Sequence, residues 1–237
     1  APPKVRALTT TRVGGVSKRP FDNLNLADHV GDQPEAVARN REFLLGALTL
    51  PGSPVWLSQV HGTHVVDAAA VSHNVIADGS FANEAGIVCA VMTADCLPLF
   101  LCNQSGDKVA VLHVGWRGLY DGVVEAGLRQ LAVPNSQLIA STGPAIGPDV
   151  YEVGEDVYSQ FVGNHGDAKK GFEPSGRPGH WLMDLYKLVE MRLNQLGVDQ
   201  VFLTNECTYT QEKDYFSYRR ERQCGRMVSL IWIDSVG

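Results

Sequence analysis

The spacings that would announce a metal site by themselves are absent from this chain. It has no C-x-x-C pair and no H-E-x-x-H, so any metal ligands must come from separate stretches. No apolar run is long enough to cross a membrane, and Ala1 to Lys4 do not open a signal peptide. Basic charge is short too: 20 Lys and Arg stand against 26 Asp and Glu, a net charge of -6. That argues against a nucleic-acid binder dominated by phosphate contacts, though a few arginines could still hold a small anion. The five cysteines are scattered and odd in number. Free thiols in a reducing cytosol follow, rather than a disulfide framework.

What is present suffices for a substantial core, with 44% of 237 residues hydrophobic. There is no internal repeat, low-complexity tract or linker, so residues 1–237 are expected to form a single domain. Strand-like and helix-like patterns mix irregularly, which gives an α+β or mixed α/β class. Strands are expected at Ile87 to Val91, Val109 to Leu112, Leu138 to Ala140, Val201 to Leu203 and Val228 to Ile233. Asp32 is expected to cap a helix that carries Pro34 and Glu35 in its first turn. A helix should follow Asp121 and end at Pro134 and Asn135. Val153, Val157 and Phe161 share one helical face, and Leu182 to Leu196 has the clearest helical period, with Gly197 as its stop. Ser72 to Gly86 and Asn164 to His180 read as polar loops, with His64 and His73 as surface groups.

Chemistry-bearing residues gather where apolar runs end. Cys96 lies in Thr93 to Pro98, His113 opens His113 to Gly118, and His61 follows Val55 to Leu57. One thiolate and two imidazoles at strand ends could form a three-ligand site, with a fourth position left for water or substrate. A lone cysteine at a strand end is, however, more often a small core residue. Asp95, beside Cys96, could carry a proton or simply fix the loop. Arg12, near a turn, could face a ligand or be solvated. Arg41 sits beside an apolar stripe, where an arginine either snorkels or holds an anion.

Five stretches taken together resemble one family. They are Ser58 to Gly62 (SQVHG), Met92 to Pro98 (MTADCLP), His113 to Gly118 (HVGWRG), Gly143 to Pro148 (GPAIGP) and Phe216 to Arg220 (FSYRR). In this order they resemble the YfiH-type proteins, long called multicopper polyphenol oxidase or laccase-domain proteins and later purine nucleoside phosphorylases. Asp32, Asn40 and Arg41 also fit that pattern. The resemblance implies a central mixed sheet flanked by helices, of the kind shared with cysteine-hydrolase-like toxin domains. It implies a metal, usually zinc, on His61, Cys96 and His113. It further implies phosphorolysis of adenosine, inosine, guanosine and methylthioadenosine to free base and ribose 1-phosphate, with adenosine deamination as a side activity. Val114 stands where the family typically has Ala. Asp149 and Val150 stand where many members carry cysteines, so a role for those cysteines does not transfer.

With that resemblance, Arg41 and Arg117 become candidates for holding phosphate, since guanidinium groups bind it through paired donors. Purine nucleosides and inorganic phosphate are the implied partners, with no nucleic acid or membrane, and the chain is expected to be a monomer or weak homodimer. Two other activities stay open. One is a copper polyphenol oxidase, although only seven histidines are present and five lie in unrelated loops. The other is a metal-free cysteine hydrolase with Cys96 as nucleophile and His113 as base, editing a nucleotide-linked muramyl precursor.

Overall fold

The computed structural model describes residues 1–72, 74–164 and 166–235. His73 and His165, read above as loop histidines, lie outside those residues. The elements in chain order are β1 (Val5–Thr9), α1 (Pro34–Leu48), β2 (Leu57–Ser58), β3 (Val65–Asp67), β4 (Val75–Ile76), β5 (Gly79–Ala82) and β6 (Val88–Thr93). Next come β7 (Leu97–Asn103), β8 (Val109–Val114), α2 (Trp116–Asp121), α3 (Val123–Leu131), β9 (Leu138–Thr142), β10 (Glu152–Gly154) and α4 (Glu155–Asn164). The chain continues through β11 (Phe172–Pro174), β12 (His180–Met183), α5 (Leu185–Gln195), β13 (Gln200–Phe202), α6 (Tyr218–Glu221) and β14 (Met227–Ile233).

Two sheets form the centre. A three-stranded sheet runs β1-β14-β6, and a six-stranded mixed sheet runs β13-β9-β7-β8-β5-β3. Side chains alternate across each strand, because successive Cβ atoms point to opposite faces. In β8, Val109 and Val111 face the three-stranded sheet and pack with Phe100, Cys89, Val91 and Ile231. Ala110, Leu112 and Val114 face the other way, onto α3 and α5 through Val124, Leu128, Leu188 and Val189. The outer face of the three-stranded sheet, including Val88, Ala90, Met92, Leu230 and Trp232, is covered by Leu44 of α1 and by Leu24 and Leu26. Four layers result, helix, sheet, sheet and helix, and the middle strands are buried on both faces. That is why they read as unbroken apolar runs rather than as alternating ones. The fold is mixed α/β, as expected.

Several expectations are corrected. Asp32 is not the cap of α1: Gln33 holds that position, and Asp32 accepts from Ser17, Asn25 and the Gln33 main chain. The polar stretch 72–86 contains β4 and β5, because Asp78, Gly79 and Ser80 are buried rather than solvated. Within 164–180 lie a short 3-10 segment, Gly166–Gly171, and strand β11. Val153 belongs to β10, leaving Val157 and Phe161 on α4. The helix expected from Leu182 begins at Leu185, after Asp184 accepts from the Lys187 main chain and caps it.

Candidate functional site

The site forms where the chain crosses from one sheet to the other. Strand β6 ends at Thr93 and β7 begins at Leu97, so Ala94, Asp95 and Cys96 bridge the two. The bridge is held firmly. The Asp95 carbonyl accepts from Ile146 N at 2.9 Å. Its carboxylate accepts from Thr208 Oγ1 at 2.7 Å and from Arg219 N at 2.6 Å. Both carboxylate oxygens are therefore engaged, which favours the loop-fixing reading of Asp95 over the proton-carrying one.

His113, near the end of β8, is buried beside Cys96. His61 reaches the same point from an exposed loop, and the two imidazole rings meet edge to face with centroids 4.7 Å apart. The candidate ligand atoms of His61, Cys96 and His113 all lie within 4.8 Å of one another. Residues 52, 35 and 17 positions apart thus converge on one point, and their donor set, two imidazoles and a thiolate, could hold a metal ion. Gly115 makes room for this convergence. A Cβ there would stand 3.0 Å from His61 Cδ2 and 3.1 Å from Cys96 Sγ.

The residue that joins the site together is Asp78, which sequence reasoning passed over as part of a turn. It is fully buried. One oxygen lies 2.9 Å from His113 Nδ1 and accepts from His61 N at 2.8 Å. The other accepts from Gly62 N at 2.7 Å and Val60 N at 3.2 Å. A single carboxylate thereby orients one imidazole and fixes the loop that carries the other. Bonding of Nδ1 to Asp78 leaves Nε2 of His113 for a metal, the usual arrangement behind a ligating histidine.

The electrostatics follow from this packing. Burial alone would push the Cys96 thiol up, but the adjacent His113 and hydrogen bonds from both imidazoles outweigh it and hold the thiol below its ordinary value. Burial opposes charge on His113, yet Cys96 and Asp78 together raise it above the ordinary histidine range. Burial also opposes the Asp78 charge, but His113 and the loop amides keep its carboxyl below the usual range. The metal-free chain thus carries a thiolate–imidazolium pair backed by a carboxylate.

The three residues open onto a cavity of about 510 Å³, a size that suits a small organic ligand. Trp116, Tyr151 and Tyr218 line it, as do Arg117, Arg219, Arg226 and His29. Arg117 lines the cavity, with its guanidinium 4.9 Å over Trp116. Arg41 does not line the cavity. Its Nε donates to Leu26 O, Nη2 lies 3.5 Å from Asp28, and its guanidinium stacks 4.0 Å over Trp56. Arg12 is neither solvated nor at the cavity: it is buried, paired with Glu221 and stacked on Phe216. The arginines missed at sequence level, Arg219 and Arg226, lie in or just after the aromatic and basic stretch ending at Arg220.

Fold and site together define a class: an α/β protein whose candidate metal ligands meet beside a cation-lined cavity. Residues 6–234 match the family described as multi-copper polyphenol oxidoreductase laccase, and the chain belongs to that family. Its relatives include a purine nucleoside phosphorylase of Pseudomonas aeruginosa, 46% identical over 98% of this chain and 95% of the relative. The purine nucleoside phosphorylase YfiH of Escherichia coli is 45% identical over the same shares. Among solved structures, a Neisseria meningitidis protein matches with a TM-score of 0.95 and 44% identity, covering 99% of this chain and 96% of that one. YlmD of Geobacillus stearothermophilus matches with a TM-score of 0.86 and 29% identity, covering 98% and 93%. The YfiH-type resemblance drawn from the five motifs is borne out. No helix among the described residues is long and apolar enough to cross a membrane.

Proposed function

We propose that this chain is a zinc-dependent purine nucleoside phosphorylase acting on adenosine, inosine, guanosine and methylthioadenosine, with adenosine deamination as a side activity. The observation that carries the proposal is the His61, Cys96 and His113 group opening on a cavity that three arginines line, in a chain otherwise of net charge -6. The names of its relatives supply the reaction.

In phosphorolysis an oxygen of inorganic phosphate bonds to C1′ of the ribose while the C–N bond to the purine breaks. The base leaves with the electron pair and takes up a proton. The charge that develops is on the sugar and the departing base, so a fixed anion site and an oriented base supply most of the acceleration. Trp116, Tyr151 and Ile146 give the cavity apolar surface for a purine ring, and the arginines give it charge for phosphate. His61, Cys96 and His113 would hold the metal, with Asp78 orienting the His113 imidazole and fixing the loop that carries His61. A bound zinc supplies Lewis acidity at a position open to substrate or water.

The test is phosphate-dependent release of hypoxanthine from inosine by zinc-loaded protein, lost in His113→Ala. Its absence from the pure, zinc-loaded chain would remove the proposal.

A second reading has its own observation. Cys96, His113 and Asp78 form a thiolate, imidazolium and carboxylate series suited to a metal-free cysteine hydrolase, such as one editing muramyl precursors. An acyl-enzyme trapped on Cys96 in chelator-treated protein would favour it. The copper oxidase reading rests on the family's description. A single ligand group of this kind among the described residues serves one ion, not a copper cluster.

A further inference from the structure

Tyr151 lines the cavity, is nine-tenths buried, and its hydroxyl has no hydrogen-bond partner among the described residues. That hydroxyl is not among the sealed polar atoms that lack a partner, so it is accessible and free to donate to a ligand in the cavity. Burial, with Cys96 and Asp95 nearby, pushes its ionisation above the ordinary tyrosine value. Arg219 stands beside it, its guanidinium carbon 5.2 Å from the centre of the Tyr151 ring. That arginine is anchored from two sides. Its Nη1 donates to Glu152 O at 2.9 Å, and its main chain donates to Asp95 at 2.6 Å. The rest of its guanidinium takes no protein partner among the described residues, and it lines the cavity.

We propose that the Tyr151 hydroxyl and the Arg219 guanidinium form the oxyanion subsite of the cavity, where inorganic phosphate is held. This rests on the phosphorylase reading and names which cations serve it. The competing arginines are less suited. Arg226 is anchored too, through Nη1 to the Cys224 and Gly225 carbonyls, but its guanidinium stands over Tyr218 and not over Tyr151. Arg117 rests on Trp116 with no anchoring hydrogen bond among the described residues. Arg41 does not line the cavity. A pre-positioned pair loses less freedom on binding than a loose one. Asp95, which accepts from the Arg219 main chain, has both oxygens engaged by Thr208 and Arg219.

The experiment titrates inorganic phosphate into the full, zinc-loaded chain by calorimetry and measures KM for phosphate and for inosine. Tyr151→Phe and Arg219→Gln should each weaken phosphate binding by about tenfold, and Arg219→Lys by less, because it keeps the charge and loses the paired donors. Where inosine is cleaved, KM for phosphate should rise and KM for inosine should hold. Melting temperature and zinc content confirm that each variant is folded and loaded. Unchanged phosphate binding in both variants overturns the subsite, as does a wild-type chain that binds no phosphate. Cleavage of inosine with an unchanged phosphate KM in both variants also overturns it, and leaves the phosphorylase reading standing. Phosphate binding that is lost in the variants of a chain unable to cleave inosine upholds the subsite and removes the phosphorylase reading.

Discussion

Asp78 shows how much one side chain can decide. It meets both imidazole-bearing segments, so Asp78→Asn should disturb both at once: an amide offers one acceptor oxygen and turns an NH2 toward groups that donate. Metal affinity is expected to fall by roughly 10- to 100-fold while the fold survives, measured by competition with a chelating dye. Thiol chemistry gives a second check. The Cys96 thiol is held below its ordinary value, whereas burial pushes Cys89 up to about 12 and Cys224 up to about 11. A lowered thiol value means more thiolate at neutral pH. Iodoacetamide should therefore modify Cys96 of the metal-free chain at a rate near its plateau at pH 7, falling only as the pH drops into the acid range. Cys89 and Cys224 should stay unmodified, and zinc should protect Cys96. The two histidines and the cysteine could be picked out in the sequence because each ends an apolar run. Asp78 could not, because beside a glycine it looks like any exposed turn; only the pairing of β5 with β8 shows that it is interior.

At the scale of elements, strand β8 and helix α3 are fitted together through one leucine. Leu112 is fully buried, and glycines press on it from two sides. A Cβ at Gly79 would come within 2.6 Å of it, and one at Gly127 within 2.5 Å. By helix propensity alone, Gly127→Ala on α3 would gain about 1 kcal/mol. Leu112 has nowhere to retreat, and overpacking costs about 1–3 kcal/mol. The clash should win, and urea unfolding should show a net loss of stability. Leu112→Ala, which opens a cavity instead, should cost about 2–5 kcal/mol by the same measurement. This joint also shows where sequence reading runs out. The strands were visible as apolar runs, but β5 was hidden, because its glycine and serine look like loop residues until the packing that requires them is seen. Helix α2 was hidden for a similar reason, being six residues long with no capping side chain.

For the molecule as a whole, a metal held by His61, Cys96 and His113 would be linked to the fold, because those residues come from three distant stretches. A metal that binds only the folded chain stabilises it by mass action. Free zinc at about 100 times its Kd adds about 2.7 kcal/mol, which for a chain of this size is roughly 5–10 °C in Tm. A chelator should lower the melting temperature by a comparable amount in scanning calorimetry, and His61→Ala should abolish the difference. The layered plan was foreseeable only as a class, since strand order depends on which apolar runs meet rather than on what they contain. The three-stranded sheet makes the point: β14, the last strand, sits between β1, the first, and β6. On the ribosome, then, Val5–Thr9 and Val88–Thr93 emerge with no neighbour between them and must wait, edges bare, until Met227–Ile233 leave the exit tunnel. Arg219 and Arg226 emerge just before Met227–Ile233, so two of the three arginines that line the cavity join it after most of the other lining residues have been made.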